Sequence, residues 1–391
     1  MSTANQVLMP NKLVYGFRAI DEVGTITNRF GNKALIVSDP VMEKEGLVNR
    51  VENLLKKAGV SVSKYTDILT EPTTRNLKDV LTLMSDGNYD FILALGGGSC
   101  IDTAKAANVM YVNEGEIADY IPGMKHFTKK GLPLIAIPTT AGTGSEVTKV
   151  TVITDANTQV KMMVSQPELL PDVAIVDPEL TYTCPQKVTA ATGLDTLCHA
   201  IEAYLSDRSH ELTDHYALTA IEYVFRFLPR AYQDRNDKEA REKMSIAATM
   251  ASIAFSNASV TLIHGMSRPI GALFHIPHGI SNAMILPAVL EFTKDGCTEK
   301  LTNIYRSLHP SNSNVEASDL VERFIKDLKH LCIEVNTPNL QQWGVNGQLY
   351  EQHLQKMAKD ALASGSPNNH PEKLGLEEIV ELYNLCYSYQ F

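Results

Sequence analysis

Short apolar runs alternate with helix-like segments throughout the first half of the chain, and this alternation most constrains the fold. The runs are continuous, as expected for strands of a parallel sheet that is buried on both faces. They lie at residues 34–37, 91–95, 134–137 and 173–176. Between them, apolar residues recur at helical spacing, for example at residues 51–58 and 75–85. Strands and helices in alternation predict a mostly parallel sheet with helices on both faces.

The character of the sequence changes near residues 180–186, because helical periodicities then follow one another to the C-terminus. We therefore predict an α/β N-terminal domain at residues 1–182 and an all-α domain at residues 183–391, with the active site in the cleft between them. A β-hairpin is expected from residues 151–154 and 161–164. Residues 364–373, rich in Ser, Pro, Asn and Gly, are expected to form the loosest segment.

The composition is that of a soluble globular protein, with 391 residues, 44% of them hydrophobic, and a net charge of −10. This acidic balance argues against nucleic acid or an anionic membrane as the main partner. No apolar run approaches the roughly 18–20 residues of a membrane span, and the first residues lack the pattern of a signal peptide. The six cysteines are scattered without a Cys-x-x-Cys pair, which predicts reduced thiols in the cytoplasm. Cys198 is expected to pack in the core.

A glycine-rich segment, Gly96 to Ser99, directly follows the apolar run at residues 91–95. Bare backbone N–H groups at a helix N-terminus stabilise a pyrophosphate, although a tight turn is the alternative. Ser99 and Asp102 have the spacing of a capping box. A second segment that directly follows a predicted strand, Thr139 to Gly144, offers hydroxyl and amide groups. Two such segments at the carboxyl ends of neighbouring strands indicate a long ligand that lies across the edge of a Rossmann-like sheet.

Asp39 stands at the end of an early predicted strand, directly before Pro40. A carboxylate there is suited to accept hydrogen bonds from the ribose of an adenosine. Its charge would repel a 2′-phosphate, which favours NAD over NADP. The alternative is an aspartate that only caps a helix or a turn.

Four residues could hold a metal ion. Asp195 and His199 are four residues apart in a predicted helix, so their side chains stack on one face. The pair alone could be an ordinary surface pair. His264 and His278, both in apolar surroundings, extend it to one carboxylate and three imidazoles. Such a set suits Fe²⁺ or Zn²⁺ rather than Ca²⁺ or Mg²⁺.

Over essentially its whole length the chain resembles the iron-containing (group III) alcohol dehydrogenases. The resemblance is carried by Gly96 to Ser99 with Asp102 and Lys105, Pro138 to Thr148, Gly193 to Tyr204, and the segment from His264 to Gly279. It implies a metal, Fe²⁺ or another divalent ion such as Zn²⁺, bound by Asp195, His199, His264 and His278. His278 is preferred to His275 because it lies in the Pro-His-Gly context of the family. The resemblance also implies NAD(P) bound by Asp39, Gly96, Gly97, Gly98, Ser99, Asp102, Thr139, Thr140, Thr143 and Lys161.

The same resemblance implies hydride transfer between NAD(H) and a short primary alcohol or aldehyde, in a homodimer or larger assembly. It places Val150, Phe255 and Ser366 in the substrate pocket. One position departs from the family, which commonly carries another histidine four residues after His264, where this chain has Arg268. We hypothesise that Arg268 selects an aldehyde with an anionic tail, such as sulfoacetaldehyde. The alternative is an arginine in a structural ion pair with an Asp or Glu.

Other functions fit parts of the pattern. A general dehydrogenase of lactaldehyde, propanediol or ethanol type would need no role for Arg268. A metal-dependent hydrolase could use the same metal set to activate water, with the glycine segment holding a substrate phosphate. A sugar-phosphate lyase or polyol dehydrogenase is a third class, but the residues around His264 fit it less well.

Overall fold

The computed structural model describes residues 4–69, 71–158, 160–310 and 315–391. The chain forms two compact units, one of them Val7–Cys184. The other contains Pro185–Phe391 together with residues 4–6. The change between units therefore falls where the helical periodicities of the sequence begin.

The first unit contains eight strands among the described residues. They are Lys12–Tyr15 (β1), Lys33–Val37 (β2), Ser61–Tyr65 (β3), Phe91–Gly96 (β4), Leu134–Pro138 (β5), Val150–Thr154 (β6), Lys161–Ser165 (β7) and Val173–Val176 (β8). Six of them form a sheet in the order β1-β8-β5-β4-β2-β3, in which every pair is parallel. The remaining two strands, β6 and β7, form an antiparallel hairpin, as predicted.

Helices cover both faces of this sheet. Along β2, Leu35 and Val37 belong to one apolar cluster, whereas Ala34 and Ile36 belong to another. Successive side chains of a strand point to opposite faces, so both faces are buried. The α/β fold predicted for this part of the chain is confirmed. Its helices are Val23–Thr27 (α1), Pro40–Lys44 (α2), Leu47–Lys57 (α3), Thr74–Gly87 (α4) and Gly98–Met110 (α5).

The strand order creates a switch point between β2 and β4. From β2 the chain adds β3 on one side, then returns to add β4 on the other side and β5 beyond it. Ligands of open parallel sheets bind outside the carboxyl ends of strands at such a point. Asp39 follows β2 and Gly97 follows β4, so both predicted cofactor segments flank this position.

The second unit contains only helices among the residues that the structure describes, which confirms the predicted all-α region. Its 3₁₀ turns are Asp295–Cys297 and Ser366–Asn369. Its helices are Gln186–Leu205 (α6), Glu211–Gln233 (α7), Lys238–Ala258 (α8), Leu262–Phe274 (α9), His278–Phe292 (α10), Thr298–Leu308 (α11), Ala317–Glu334 (α12), Leu340–Trp343 (α13), Gly347–Ala363 (α14) and Leu376–Tyr387 (α15).

Within the described residues, no single helix has the length and apolar character needed to cross a membrane. One pair, α8 and α9, passes the length and composition criteria only when taken together, and the two helices are bent by 102° at their junction.

Residues 364–373 are not loose, so that expectation is wrong. Ser366, Pro367 and Asn369 are buried, and the Asn369 amide donates to the Val260 carbonyl. A Cβ atom at Gly265 would come within 2.8 Å of Pro367, so the missing side chain lets the segment pack on α9. A composition that is typical of loops thus occurs here in a closely packed segment.

Strand β1 was not predicted. Its four residues are mostly exposed, because it lies at the edge of the sheet and pairs only with β8. An exposed edge strand shows neither a continuous apolar run nor a clear alternation, so its sequence resembles a loop.

Candidate functional site

The four predicted metal ligands lie together in the helical unit. One ligand atom from each of Asp195, His199, His264 and His278 lies within 4.8 Å of the others. Asp195, His199 and His264 are buried at 1–4% exposure, whereas 41% of the His278 side chain is exposed. The cluster is therefore closed on most sides and open near His278.

Helix geometry and close packing bring these side chains together. Asp195 and His199 share one face of α6, while His264 lies in the first turn of α9 and His278 begins α10. A Cβ atom at Gly279 would lie 2.8 Å from the Ala191 carbonyl of α6. Glycine after His278 thus allows the start of α10 to press against α6.

Glu202 is a functional residue that the sequence reasoning missed. It is fully buried, and its Oε1 accepts hydrogen bonds from the Thr261 backbone N–H at 2.9 Å and the Thr261 hydroxyl at 3.0 Å. Its Oε2 contacts Nδ1 of His264. A carboxylate on Nδ1 places the ring proton there and leaves the Nε2 lone pair for a metal. Glu202 follows His199 by three residues, a helical spacing that could have revealed it.

Asn282 was also missed, although it follows His278 by four residues. Its amide nitrogen lies 2.7 Å from Asp195 Oδ1 and 3.0 Å from His264 Nε2. The same nitrogen is 3.4 Å from His278 Nε2. The amide NH₂ group of Asn282 thus faces three atoms that carry lone pairs.

These residues fit a divalent cation. Burial lowers the pKa of His264 to about 4, so the imidazole is neutral near pH 7 and its Nε2 lone pair is available. Three imidazoles and one carboxylate form a donor set for Fe²⁺ or Zn²⁺. His275 lies outside this cluster and is exposed at the C-terminal end of α9.

Three of the predicted pocket residues lie in the same unit as the metal ligands. The Phe255 ring stacks on the His199 ring with centroids 4.2 Å apart. Arg268 lies one turn after His264 on α9, and its Nη1 donates to the Ser366 hydroxyl at 3.1 Å. The fourth residue, Val150, opens β6 in the α/β unit.

The predicted phosphate segment has the geometry of a strand-to-helix turn. Gly96 adopts a φ of +146°, and a Cβ atom there would lie 2.5 Å from Cys100 Sγ, so the position requires glycine. Gly97 is the N-cap residue of α5, and Gly98 is its first residue. Ser99 follows in the first turn, the part of a helix that binds anions through its backbone N–H groups.

The predicted capping box of Ser99 and Asp102 is wrong. Because α5 begins at Gly98, Ser99 is already inside the helix, and no side chain caps its N-terminus. The Asp102 carboxylate instead accepts from the Ser145 hydroxyl at 2.5 Å and the Val152 N–H at 2.8 Å.

Asp39 has the helix-cap role that the sequence left open as an alternative. Its Oδ1 accepts from the N–H groups of Val41 and Met42, at 2.8 and 2.9 Å. Its Oδ2 lies 3.3 Å from Cys100 Sγ. Lys161, predicted to bind cofactor, forms an ion pair with Glu71 at 2.6 Å.

The remaining cofactor candidates lie in the loop after β5. Thr139 is buried and its N–H donates to the Gly96 carbonyl at 3.1 Å. Thr140 and Thr143 are the side chains nearest to the Cβ positions of Gly97 and Gly98. This loop and the glycine segment therefore lie side by side.

Comparison with known proteins identifies the family of the chain. Residues 10–178 match the family model of iron-containing alcohol dehydrogenase, and residues 189–387 match the C-terminal model of the Fe-containing alcohol dehydrogenase family. Long-chain-alcohol dehydrogenase 1 of Geobacillus thermodenitrificans is 39% identical over 366 residues, which are 93% of this chain and 91% of that protein.

Solved structures give the same result. The chain superposes on 1,3-propanediol oxidoreductase with a TM-score of 0.94 and 32% identity, covering 98% of this chain and 100% of the other. It also superposes on sulfoacetaldehyde reductase from Bifidobacterium kashiwanohense in complex with NAD⁺, with a TM-score of 0.89 and 28% identity over 100% of both chains.

Proposed function

The chain belongs to the iron-containing alcohol dehydrogenase family, and we propose on this basis that it transfers a hydride between NAD(H) and a short primary alcohol or aldehyde. The observation that carries the proposal is the buried cluster of Asp195, His199, His264 and His278, whose ligand atoms lie within 4.8 Å of one another. Family membership favours this reaction over the metal-dependent hydrolase that the metal ligands alone would also permit.

The chain's own residues hold and orient the proposed metal ligands. When bound, Fe²⁺ or Zn²⁺ supplies a Lewis acid that polarises a carbonyl oxygen or lowers the pKa of an alcohol. Glu202 fixes the ring of His264, and Asn282 donates to Asp195, so these ligands are held in place before any ion arrives. Phe255 shields one face of His199 and gives the site an apolar wall that suits a short carbon chain.

Two features support NAD(H) as the hydride carrier. The glycine segment and Asp39 flank the switch point of the sheet, where dinucleotides bind in folds of this kind. The structurally similar sulfoacetaldehyde reductase was solved in complex with NAD⁺. The negative charge at the end of β2 favours NAD over NADP, because it would repel a 2′-phosphate.

The proposal is tested by following NADH absorbance with propanal after the purified protein is loaded with Fe²⁺ or Zn²⁺. We expect metal-dependent loss of NADH and, in reverse, NAD⁺ reduction with 1-propanol. A protein that does not bind NADH but releases phosphate from a phosphorylated substrate would contradict the proposal and favour the hydrolase.

At a finer level, we propose that the preferred aldehyde carries an anionic tail. Arg268 lies one turn from the metal ligand His264, and its guanidinium is hydrogen-bonded to Ser366. An arginine remains protonated even when burial lowers its pKa, as it does here. A planar cation near the metal-ligand candidate His264 suits a sulfonate or a carboxylate group on a short aldehyde.

The substitution Arg268→Met tests this substrate preference. We expect the KM for sulfoacetaldehyde to rise about 10- to 100-fold, as for the loss of a charge-assisted hydrogen bond, while the KM for propanal changes little. Arg241→Met is the matched control, because Arg241 is also a buried arginine of the helical unit but contacts Thr189 and the Arg235 carbonyl. Equal changes for both aldehydes would leave Arg268 with a structural role and favour a general alcohol dehydrogenase.

A further inference from the structure

The loop after β5 runs beside the first half of α5. Thr139 donates a backbone hydrogen bond to Gly96, and one step further a Cβ atom at Gly98 would lie only 2.9 Å from the Thr143 side chain. The contacts continue along the helix beyond the glycines. The two segments predicted to bind the cofactor are thus in direct contact.

Asp102 forms the next contact between the segments. Its Oδ1 accepts from the Ser145 hydroxyl at 2.5 Å, and its Oδ2 accepts from the Val152 N–H at 2.8 Å. The backbone carbonyl of Asp102 also accepts from the Thr151 hydroxyl at 2.9 Å. One helical residue therefore holds both the end of the loop and the strand β6 that follows it.

Lys105, three residues later on α5, completes the contact. Its ammonium group is fully buried and donates to the Thr148 carbonyl at 2.8 Å, the Thr148 hydroxyl at 3.1 Å and the Val150 carbonyl at 2.9 Å. Asp102 and Glu146 supply the opposite charges that favour the protonated lysine in this buried place.

These contacts use the full donor capacity of Lys105. An ammonium group has three hydrogens, and the three oxygens around Lys105 use them all. Each oxygen of Asp102 accepts one hydrogen bond here, and a carboxylate oxygen can accept a second one. Asp102 therefore connects α5 to the loop and keeps acceptor capacity for the cofactor contact that the family resemblance implies.

We propose that Lys105, as a positioning residue, forms a clamp together with Asp102 that holds the segment from residue 139 to residue 150 against α5 in the geometry that binds NAD(H). This inference rests on the proposed function, because it assigns a role to residues behind the same cofactor segments. A clamp that fixes the loop in advance removes an ordering cost from cofactor binding. It acts on affinity for the cofactor and not on the hydride-transfer step.

The experiment compares NADH binding by the metal-loaded wild type, Lys105→Met and Ser145→Ala, using NADH fluorescence. We expect the Kd for NADH to rise about tenfold or more in Lys105→Met and a few-fold in Ser145→Ala. The KM for NADH should rise in parallel, while kcat at saturating NADH stays within about threefold. Because Ser145→Ala removes only a single hydrogen bond, this variant still tests the proposal where Lys105→Met folds poorly.

Asn108→Ala is the matched control. Asn108 is also a buried polar residue of α5 and holds another loop through two hydrogen bonds to Leu132, both at 2.8 Å. It should lower Tm without changing the Kd for NADH. An unchanged Kd in both clamp variants, or an equal rise in Asn108→Ala, would overturn the proposal.

Hydrogen exchange of residues 139–150 separates this inference from the proposed function. We expect faster exchange of that segment in Lys105→Met and Ser145→Ala than in the wild type and Asn108→Ala, all without NADH. If the wild type binds neither NADH nor NADPH, the proposed function fails and the exchange comparison alone decides on the clamp. Equal exchange in all four proteins would contradict it.

Discussion

At the scale of single residues, the proposed metal ligands depend on buried neighbours that set their protonation and orientation. Glu202 faces Nδ1 of His264 and also accepts from the backbone and hydroxyl of Thr261. Desolvation raises the pKa of Glu202, while its hydrogen bonds to Thr261 and His264 oppose that shift. The orientation of His264 therefore depends on this one carboxylate.

Replacing Glu202 by glutamine should weaken metal binding by about 10- to 100-fold. A glutamine amide that donates to Nδ1 of His264 would move the ring proton to Nε2, the atom that faces the other ligands. Metal affinity is measured by competition with a chelator of known strength. The control is Glu291→Gln, which removes a carboxylate from α10 that contacts Lys329 and Tyr389 instead. Equal metal affinity in wild type and Glu202→Gln would contradict this account.

Asp39 offers a second test at this scale, because asparagine also caps helices well. Asp39→Asn should preserve the hydrogen bonds to Val41 and Met42 and leave Tm nearly unchanged. Without the negative charge, the ratio of kcat/KM for NADPH to that for NADH should rise about tenfold or more. A changed Tm with an unchanged ratio would mean that Asp39 acts only as a helix cap.

At the scale of secondary-structure elements, α5 is unusual because it contains a buried lysine, Lys105. Desolvation lowers the pKa of Lys105 from 10.5 to about 8, against the opposing effects of Asp102 and Glu146. Between these values the unfolded chain keeps a proton that the folded protein has released. The free energy of unfolding should therefore gain a contribution that rises with pH in this window, by at most about 1.4 kcal/mol per pH unit.

Urea unfolding of the wild type and Lys105→Met from pH 7.5 to 10.5 measures this contribution. The difference in unfolding free energy, wild type minus variant, should increase with pH above about 8, because methionine has no proton to release. A constant difference would show that Lys105 keeps its ordinary pKa in the folded protein, and a falling difference would show that folding raises this pKa. Either result would contradict the expectation.

The elements of this protein differ in how far the sequence predicts them. The strands β2, β4 and β5 are predictable because burial on both faces requires continuous apolar runs. The edge strand β1 escapes prediction because its residues are mostly exposed. The four residues proposed to bind the metal are suggested by helical spacing and by the family motifs, and the structure brings their side chains together.

Burial and long-range partners are the parts that the sequence does not reveal. Glu202 and Asn282 have helical spacing to the ligands, but a polar residue in a helix usually faces solvent. Asp102 has the spacing of a capping residue, yet its partner Ser145 is 43 positions away. Only the packing of the loop after β5 on α5 brings those two together.

At the scale of the whole molecule, the two units carry different parts of the chemistry. The α/β unit presents a glycine turn and an acidic residue at its switch point, as a dinucleotide requires. The helical unit holds a carboxylate and three imidazoles within 4.8 Å of one another. The proposed reaction needs both units in one chain, and the two family models match both of them.

The most direct test of this account is metal content and NADH oxidation with propanal, measured on the same samples during stepwise Fe²⁺ loading of the stripped protein. The wild type should gain activity in proportion to bound metal and saturate near one ion per chain. His264→Ala should bind far less metal and lose about a thousandfold or more in kcat/KM, since direct ligation is lost. Full turnover by metal-free protein, or a fully loaded wild type that oxidises no NADH with any short aldehyde, would contradict the central claim.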